Sequence, residues 1–371
     1  MTPRAGRCSV RTADGRRSLP RRPRAVGDAG SPAAGPGPGP AAVPAGGAAA
    51  APAVLPPAAA LAAPSRAGES AARFRSGFVA IIGRPNVGKS SLCNRLVGER
   101  IAIVSDKPQT TRHRILGVLH LSGAQIVFVD TPGVHKPRHE LGRRMAATAR
   151  EALSGIEVAC LVVDAAEPGP GHNDRRAAAQ VQRAECPRLL LLNKIDLVPP
   201  EGRAQRRQAF AALAPAESPF DAVLEVSAQT GEGQEALLAE LLGRLPPGPA
   251  YFPPDAITDR PEQFLAAELV REQALQRLRD EVPHGVAVAV EEWKVRDTGV
   301  VYIGATLFVE RESQKGIVIG RGGEMLREIG SAARAELTRR LGSPVYLDIW
   351  VKVKEGWRDR PGSLESLGFG R

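Results

Sequence analysis

From Phe78 onward the chain alternates short apolar runs with stretches of helical periodicity. FVAIIG, RILGVLHL, AQIVFVD, VACLVVDA, PRLLLLN and AVLEVS are apolar runs of strand length. Bounded by turn residues, such runs fit strands buried on both faces. KSSLCNRLVG reads as a helix closed by Gly98, further helical stretches follow, and QEALLAELLGRL ends the series. Strands alternating with helices predict an α/β domain, a mostly parallel sheet with helices on both faces, over residues 76–246. The prolines of PPGPAYFPPDAITDRP interrupt this pattern and mark a linker at 247–262. Beyond it come a helix (EQFLAAELVREQALQRLRD), two strands (GVAVAVEEWKV and VVYIGATLFVE), a glycine cluster with its helix (IVIGRGGEMLREIG) and a last strand (VYLDIWVKV). They predict a smaller α+β domain over 263–371.

The first 75 residues follow neither period. Met1 to Ala72 holds nine Arg, no Lys and three acids (Asp14, Asp28, Glu69), about +6 of the net charge of +10. The Ala/Pro/Gly composition cannot bury enough apolar surface to fold, so a disordered segment is expected. An Arg-rich, acid-poor leader reads as an organelle transit peptide; its Ala/Arg/Pro composition leans to the chloroplast, with the mitochondrion as the alternative. A tail that stays attached is the alternative. A positive balance suits polyanionic partners such as RNA, DNA or anionic lipid. Cys8, Cys93, Cys160 and Cys186 form no C-x-x-C pair and have no metal-ligand spacing, so we expect reduced thiols. No run of about eighteen apolar residues is present, and no transmembrane segment is expected.

The strongest motif is GRPNVGKS, Gly83 to Ser90, placed after a strand and opening a helix. It fits the phosphate-loop pattern G-x-x-x-x-G-K-[ST]. Gly83 and Gly88 let backbone N–H groups wrap a phosphate, and the helix N-terminus adds its positive dipole end. Lys89 reaches the β- and γ-phosphates and the Ser90 hydroxyl ligates Mg²⁺. The loop set expected to contact nucleotide is Gly83, Arg84, Pro85, Asn86, Val87, Gly88, Lys89, Ser90 and Ser91. NKID, Asn193 to Asp196, ends a later strand, where α/β sheets bind ligands. A carboxylate at Asp196 accepts from N1–H and the 2-amino group of guanine, donors that adenine lacks. Asn193 can bond the other edge of the base, the Lys194 stem can lie along its face, and the Ala228 N–H of SAQTG, which begins at Ser227, can meet the guanine O6.

DTPG, Asp130, Thr131, Pro132 and Gly133, ends another strand. Asp130 would hold Mg²⁺ through water and the Gly133 N–H would meet the γ-phosphate. KPQTTRHR lies before it, a polar loop suited to a switch that places one hydroxyl on Mg²⁺ only in the triphosphate state. Thr111 is the chosen ligand, with Thr110 as the alternative. The expected metal set is therefore Ser90, Thr111 and Asp130.

Phosphate loop, threonine loop, DTPG, NKxD and SAxTG in this order resemble the Era family of translation-factor-type GTPases. SDKPQTTRHRILG, DTPGVHKPRHELG, the linker ITDR and the terminal SLGF strengthen the resemblance, which runs from Phe78 to the C-terminus. It implies GTP hydrolysis. Where many GTPases carry a glutamine that orients water, this chain has Val134, hydrophobic as in the family. Asn86 resembles the asparagine that holds a potassium ion beside the phosphates in related GTPases. Slow, K⁺-stimulated hydrolysis is expected, with Asn86, Lys89, Thr111 and Gly133 as the catalytic set and GTP/GDP, Mg²⁺ and K⁺ as cofactors.

In the second domain, Gly320-Arg321-Gly322-Gly323 is the G-x-x-G of a KH domain, which such proteins carry at this place. The motif lets backbone approach the phosphates of single-stranded RNA. Ile319, Gly320, Arg321, Gly322, Gly323 and Arg327 are the expected RNA contacts. Ile317, Val318 and Met325 would support the groove, and Lys315, Arg334, Arg339, Arg340, Lys352 and Lys354 would add salt-sensitive affinity. A dinucleotide reading fails because G-x-G-x-x-G needs glycine at Met325. The helix EQFLAAELVREQALQRLRD intersperses Glu262, Glu268 and Glu272 with bases and reads as an ordinary domain helix, with peripheral membrane contact as the alternative. The resemblance implies a monomer that binds small-subunit ribosomal RNA near its 3′ end, and not DNA, during assembly of the small ribosomal subunit in an organelle. Two rivals remain. One is a signalling or tRNA-modifying GTPase whose C-terminal part binds protein. The other is a ribosome-binding module that keeps GTP as a structural ligand.

Overall fold

The computed structural model describes residues 74–137 and 139–369. Residues 1–73, which hold Cys8 and nearly all of the expected transit peptide, lie outside the described residues. The first strand, β1 (Arg75–Ile82), begins one residue inside the span assigned to the leader. The series continues with α1 (Lys89–Val97), β2 (Ile115–Leu121), β3 (Ala124–Asp130), α2 (Glu140–Glu151), β4 (Val158–Asp164), α3 (His172–Val181), β5 (Arg188–Asn193), α4 (Pro200–Ala211), β6 (Ala222–Glu225) and α5 (Gln234–Arg244). The six strands form one sheet in the order β2-β3-β1-β4-β5-β6. Only the edge strand β2 runs antiparallel to its neighbour.

Every residue of β3 and β4 is buried, as the unbroken apolar runs predict for strands covered on both faces. Val79 and Ile81 point to one side of the sheet, against Leu92 and Leu96 of α1 and Leu237 and Leu241 of α5. Ala80 and Ile82 point to the other, against Ala149 of α2, Ala177 and Val181 of α3 and Phe210 of α4. The chain moves from β1 outward to β3 and then back across to β4, so the strand order reverses beside β1. The crevice beyond the C-terminal ends of the strands at such a reversal is where open α/β sheets bind ligands.

The second unit contains α6 (Glu262–Arg277), β7 (Ala287–Val295), β8 (Val301–Val309), α7 (Glu312–Ile319), α8 (Glu324–Leu341), β9 (Val345–Val353) and α9 (Pro361–Ser366). Its sheet pairs β7 with β8 antiparallel and β8 with β9 parallel. One face carries Ile303, Leu307, Leu347 and Ile349 into a core with Val270 of α6 and Ile329 and Ala333 of α8.

The segment expected to be a linker is docked rather than loose. Val118 N–H donates to Ile257 O (2.9 Å) and Leu116 N–H to Asp259 Oδ1 (3.0 Å). Gln125 Oε1 accepts from the N–H groups of Tyr251 and Phe252, at 2.7 and 3.0 Å. The proline-rich stretch thus pairs with the edge of β2, where an antiparallel edge strand leaves backbone groups unpaired. On α6 the run Leu265, Ala266 and Ala267 and the run Leu269–Leu275 are buried. The exposed positions of this helix, Glu262, Gln263 and Gln276, are polar, and Arg271 and Glu272 reach Thr110 O and Val104 N–H of the first domain. Among the described residues, no helix is long and apolar enough to cross a membrane.

Candidate active site and nucleic-acid interface

Five segments converge at the C-terminal edge of the large sheet. The loop after β1 leads into α1, whose N-terminus has no side-chain cap, so its first N–H groups are open to an anion. Lys89 is 5% exposed and donates from Nζ to Arg84 O at 2.9 Å. Burial pushes its pKa down to about 8, against the pull of Asp130. Asp130, at the end of β3, is fully buried, and burial raises its carboxyl to about 6 despite Lys89. Each charge is held in a dry site that a phosphate and a cation would complement.

The three oxygens assigned to the metal meet. Ser90 Oγ donates to Asp130 Oδ2 at 2.7 Å and lies 2.7 Å from Thr111 Oγ1. Asp130 Oδ1 is buried without a protein partner. Hard oxygen donors around an orphaned carboxylate oxygen fit Mg²⁺, which takes few protein ligands and completes its shell with water and phosphate. The geometry separates the two threonines. The Thr110 hydroxyl instead donates to Lys107 O (2.6 Å) inside its own loop.

Thr131 donates to Ile81 O (2.9 Å), holding DTPG against β1. At Gly133 a Cβ would lie 2.7 Å from Pro85 N and 2.8 Å from its Cα, so the two phosphate-facing loops touch only because glycine is there. Val134 is 4% exposed, packs in the core and donates its N–H to Gly83 O (3.0 Å). The valine side chain has no polar group with which to hold water. Asn86, at φ 65°, donates from Nδ2 to Asp106 O of the threonine loop (2.7 Å).

The base-reading loops are tied to each other and to the phosphate loop. Asn193 is fully buried, donates from Nδ2 to Val87 O (2.7 Å) and accepts the Ala228 N–H at Oδ1 (3.0 Å). Its carboxamide therefore ties the phosphate loop to the SAQTG loop, and the second hydrogen of Nδ2 remains for the edge of a base. The Ala228 N–H, expected at guanine O6, points to Asn193. Ser227 Oγ accepts from the N–H groups of Gln229 and Thr230, shaping the turn. Asp196 is exposed in a short 3₁₀ turn. Lys194, at φ 64°, is anchored through Nζ to Asp164 Oδ2 (2.6 Å), and its stem lies free to cover a ring.

Sequence reasoning missed several residues here. Arg84 reaches Asp174 (3.2 Å) and Asp164 (3.8 Å), so the phosphate loop and Lys194 share one acidic anchor. His135 donates from Nδ1 to Gly133 O (2.8 Å), which leaves its Nε2 to accept from Gln109 Nε2 (3.1 Å). That pair joins the threonine loop to DTPG. A polar side chain at a strand's C-terminal end was the available signal for Asp164; Gln109 and His135 had none.

In the second unit, α7 ends at Ile319 and α8 starts at Glu324, with the glycine loop between. Gly320, Gly322 and Gly323 have φ of 75°, 61° and 78°. A Cβ at Gly320 would meet Met325 Cβ at 2.8 Å, whereas one at Gly322 would meet nothing. Gly320 therefore permits the turn, and Gly322 keeps an open outer surface. Arg321 is exposed, and Arg327 braces the loop by donating to Gly322 O (3.0 Å). Two expectations need correction. Val318 is fully buried in the core, and Ile317, at 52% exposed, is the residue on the open side. Arg340 pairs with Glu262 and donates to Arg100 O (2.9 Å), facing the first domain rather than RNA.

Residues 78–194 match the 50S ribosome-binding GTPase family and residues 281–358 match the KH domain family. Among curated proteins the chain is similar to GTPase Era of Heliobacterium modesticaldum, with 44% identity over 297 residues covering 80% of this chain and 98% of that one. It is also similar to GTPase Era of Carboxydothermus hydrogenoformans, with 47% identity over 299 residues and the same coverage. Among solved structures it is similar to Era in complex with MgGDPNP and nucleotides 1506–1542 of 16S ribosomal RNA (TM-score 0.76, 38% identity, 80% of this chain and 100% of that chain). An Aquifex aeolicus Era variant bound to GDP·AlF₄⁻ superposes with a TM-score of 0.75, at the same identity and coverage.

Proposed function

The chain belongs to the Era family of GTPases, and we propose that it is a GTP-switched protein that binds small-subunit ribosomal RNA and assists assembly of the small ribosomal subunit in an organelle, the chloroplast. The observation that carries the reading is the pairing of a complete phosphate and metal site with an open G-x-x-G loop in one body. The relative solved with a 16S ribosomal RNA segment supports RNA as the ligand of that loop. The Arg-rich, acid-poor leader supports the organelle.

The chemistry follows from the residues. Lys89 and the N–H groups of the α1 N-terminus bind the β- and γ-phosphates and offset charge that grows on them as the terminal bond breaks. Ser90, Thr111 and Asp130 would hold Mg²⁺, which supplies further positive charge at the same oxygens when bound. Asp196 reads guanine. Val134 leaves the attacking water without a side-chain guide, which supports slow turnover. Asn86 reaches the threonine loop through Nδ2, and its Oδ1 supports the proposed K⁺ beside the phosphates. If exchanging Na⁺ for K⁺ leaves the hydrolysis rate unchanged, the potassium role is wrong.

GTP would order the threonine and DTPG loops, and these would bias how the KH domain presents its loop. Reciprocity then requires RNA to favour GTP by the same factor. The test uses protein starting near Ala72 and a labelled single-stranded RNA matching the organelle small-subunit rRNA 3′ end, with a GTP analogue, with GDP, and in Gly322→Asp. Tighter binding with the GTP analogue, lost in the variant, is the expected result. Equal binding in both nucleotide states refutes the coupling, and no RNA binding at all favours a protein partner for the C-terminal domain.

A further inference from the structure

The loop that carries Thr111 is held from outside its own domain, at three points. At its start, Val104 N–H donates to Glu272 Oε1 (2.8 Å). In its middle, the Arg271 guanidinium donates to Thr110 O. At its end, Arg112 donates from Nη1 to Val286 O (2.7 Å) and from Nη2 to His284 O (3.0 Å). Glu272 and Arg271 lie on α6, and His284 and Val286 lead into β7, so all these partners belong to the KH unit. Arg112 is 3% exposed, and its guanidinium carbon lies 5.7 Å from the centre of the Trp357 ring. Its Nε also donates to Gln109 O (3.3 Å), so the same side chain braces the loop against itself. The next residue, His113, stacks on Phe369 at 4.3 Å.

Thr111 therefore stands between two residues whose positions the KH unit determines. Its hydroxyl is 2.7 Å from Ser90 Oγ, in the proposed metal site. We propose that Arg112 is a positioning residue: the carbonyls of His284 and Val286 hold its guanidinium, and through the backbone this sets the Thr111 hydroxyl at the metal. The inference rests on the reading of Thr111 as a ligand in the triphosphate state. A planar fork is required, because two carbonyls are reached by two nitrogens of one group. A lysine ammonium is a point charge on a flexible stem and cannot hold both with the same geometry. The consequence is that any movement of the KH unit that withdraws the two carbonyls also loosens Thr111.

The experiment measures the Mg²⁺ concentration that half-saturates binding of a fluorescent non-hydrolysable GTP analogue, and separately the affinity for GDP, in the full chain. Arg112→Lys should raise the Mg²⁺ midpoint with the GTP analogue by about tenfold, as loss of a group that orients a metal ligand does. GDP affinity should stay within about twofold, because a switch hydroxyl leaves the metal when the γ-phosphate is absent. Adding Arg112→Lys to Thr111→Ala should shift the midpoint no further than Thr111→Ala alone, since both act through one hydroxyl. Equal losses for GDP and the GTP analogue, or additive effects in the double variant, overturn the proposal. If Thr111→Ala by itself leaves the Mg²⁺ midpoint unchanged, the ligand reading fails first and the clamp has no target. Arg271→Lys, which loses the bond to Thr110 O, carries the same comparison should Arg112→Lys not fold.

Discussion

Acid should weaken metal-dependent nucleotide binding through one carboxyl. Asp130 is fully buried, and burial raises its pKa from 3.8 to about 6, opposed by Lys89, the Ser90 hydroxyl and the Thr131 N–H. A divalent cation requires the ionised form, so the apparent metal affinity is reduced by the fraction of Asp130 that is protonated. With a pKa of about 6, nearly all of the group is ionised at pH 7.5 and about one-tenth at pH 5. The Mg²⁺ midpoint with a non-hydrolysable GTP analogue should therefore rise about tenfold over that range, equivalent to about 1.4 kcal/mol. A carboxyl at its ordinary pKa of 3.8 would change the midpoint by less than about a tenth. The terminal phosphate also titrates, with a pKa near about 6, so the reference is Asp130→Asn titrated with the same nucleotide. Wild-type and variant curves that run parallel from pH 7.5 to 5 would refute the reasoning. The shift also has a stability side. The folded pKa lies above the free value, so this group's contribution to the nucleotide-free protein is full below pH 3.8 and lost as pH rises through about 6. Mg²⁺ and nucleotide should therefore raise the melting temperature more at pH 7.5 than at pH 5.

Other outcomes follow from the same geometry. Asp196→Asn should lower GTP affinity on the order of 10⁴-fold while the phosphate loop stays intact, since the carboxylate that matches two guanine donors is gone; equal affinity for GTP in a competition titration would remove Asp196 from base recognition. Gly322→Asp should abolish RNA binding yet cost only about 1–2 kcal/mol of stability, because its side chain would enter open space and the strain is confined to one positive φ; a larger drop in stability by chemical denaturation would contradict this. Trp357→Ala removes a fully buried ring and its bond to Gly285 O (2.9 Å). It should cost about 3–5 kcal/mol in chemical denaturation, and it should loosen the contact of α2 with the C-terminal segment, where Leu141, Met145, Leu364 and Phe369 share one core.

Much of the molecule was legible in the sequence because the rules involved are local. Unbroken apolar runs become β3 and β4, buried on both faces. The phosphate loop was readable because a strand, a glycine turn and a helix N-terminus are consecutive in the chain, and that order alone aims N–H groups at an anion. The G-x-x-G loop was readable for the same reason, since three of its four residues need left-handed φ. Side chains with several possible partners were not readable in this way. Asn193 had donors and acceptors suited to a base, and only the packed structure shows that it also gives one amide hydrogen to Val87 O and takes the Ala228 N–H. Ile317 and Val318 are adjacent apolar residues, and the rotation of α7 against its core decides which one faces outward. Arg340 looked like one more RNA-facing cation until Glu262 and Arg100 O were placed beside it.

The sequence by itself determined the two domains, the phosphate and guanine motifs and the glycine loop, because each is written in residues close along the chain. Tertiary structure alone decided that Thr111 rather than Thr110 meets Ser90. It also decided that the linker pairs with β2, and that Arg112 is gripped by the carbonyls of His284 and Val286. Those contacts join residues that are far apart in sequence. They exist because packing left particular N–H and C=O groups unpaired and buried, and such groups must find partners wherever the fold brings them.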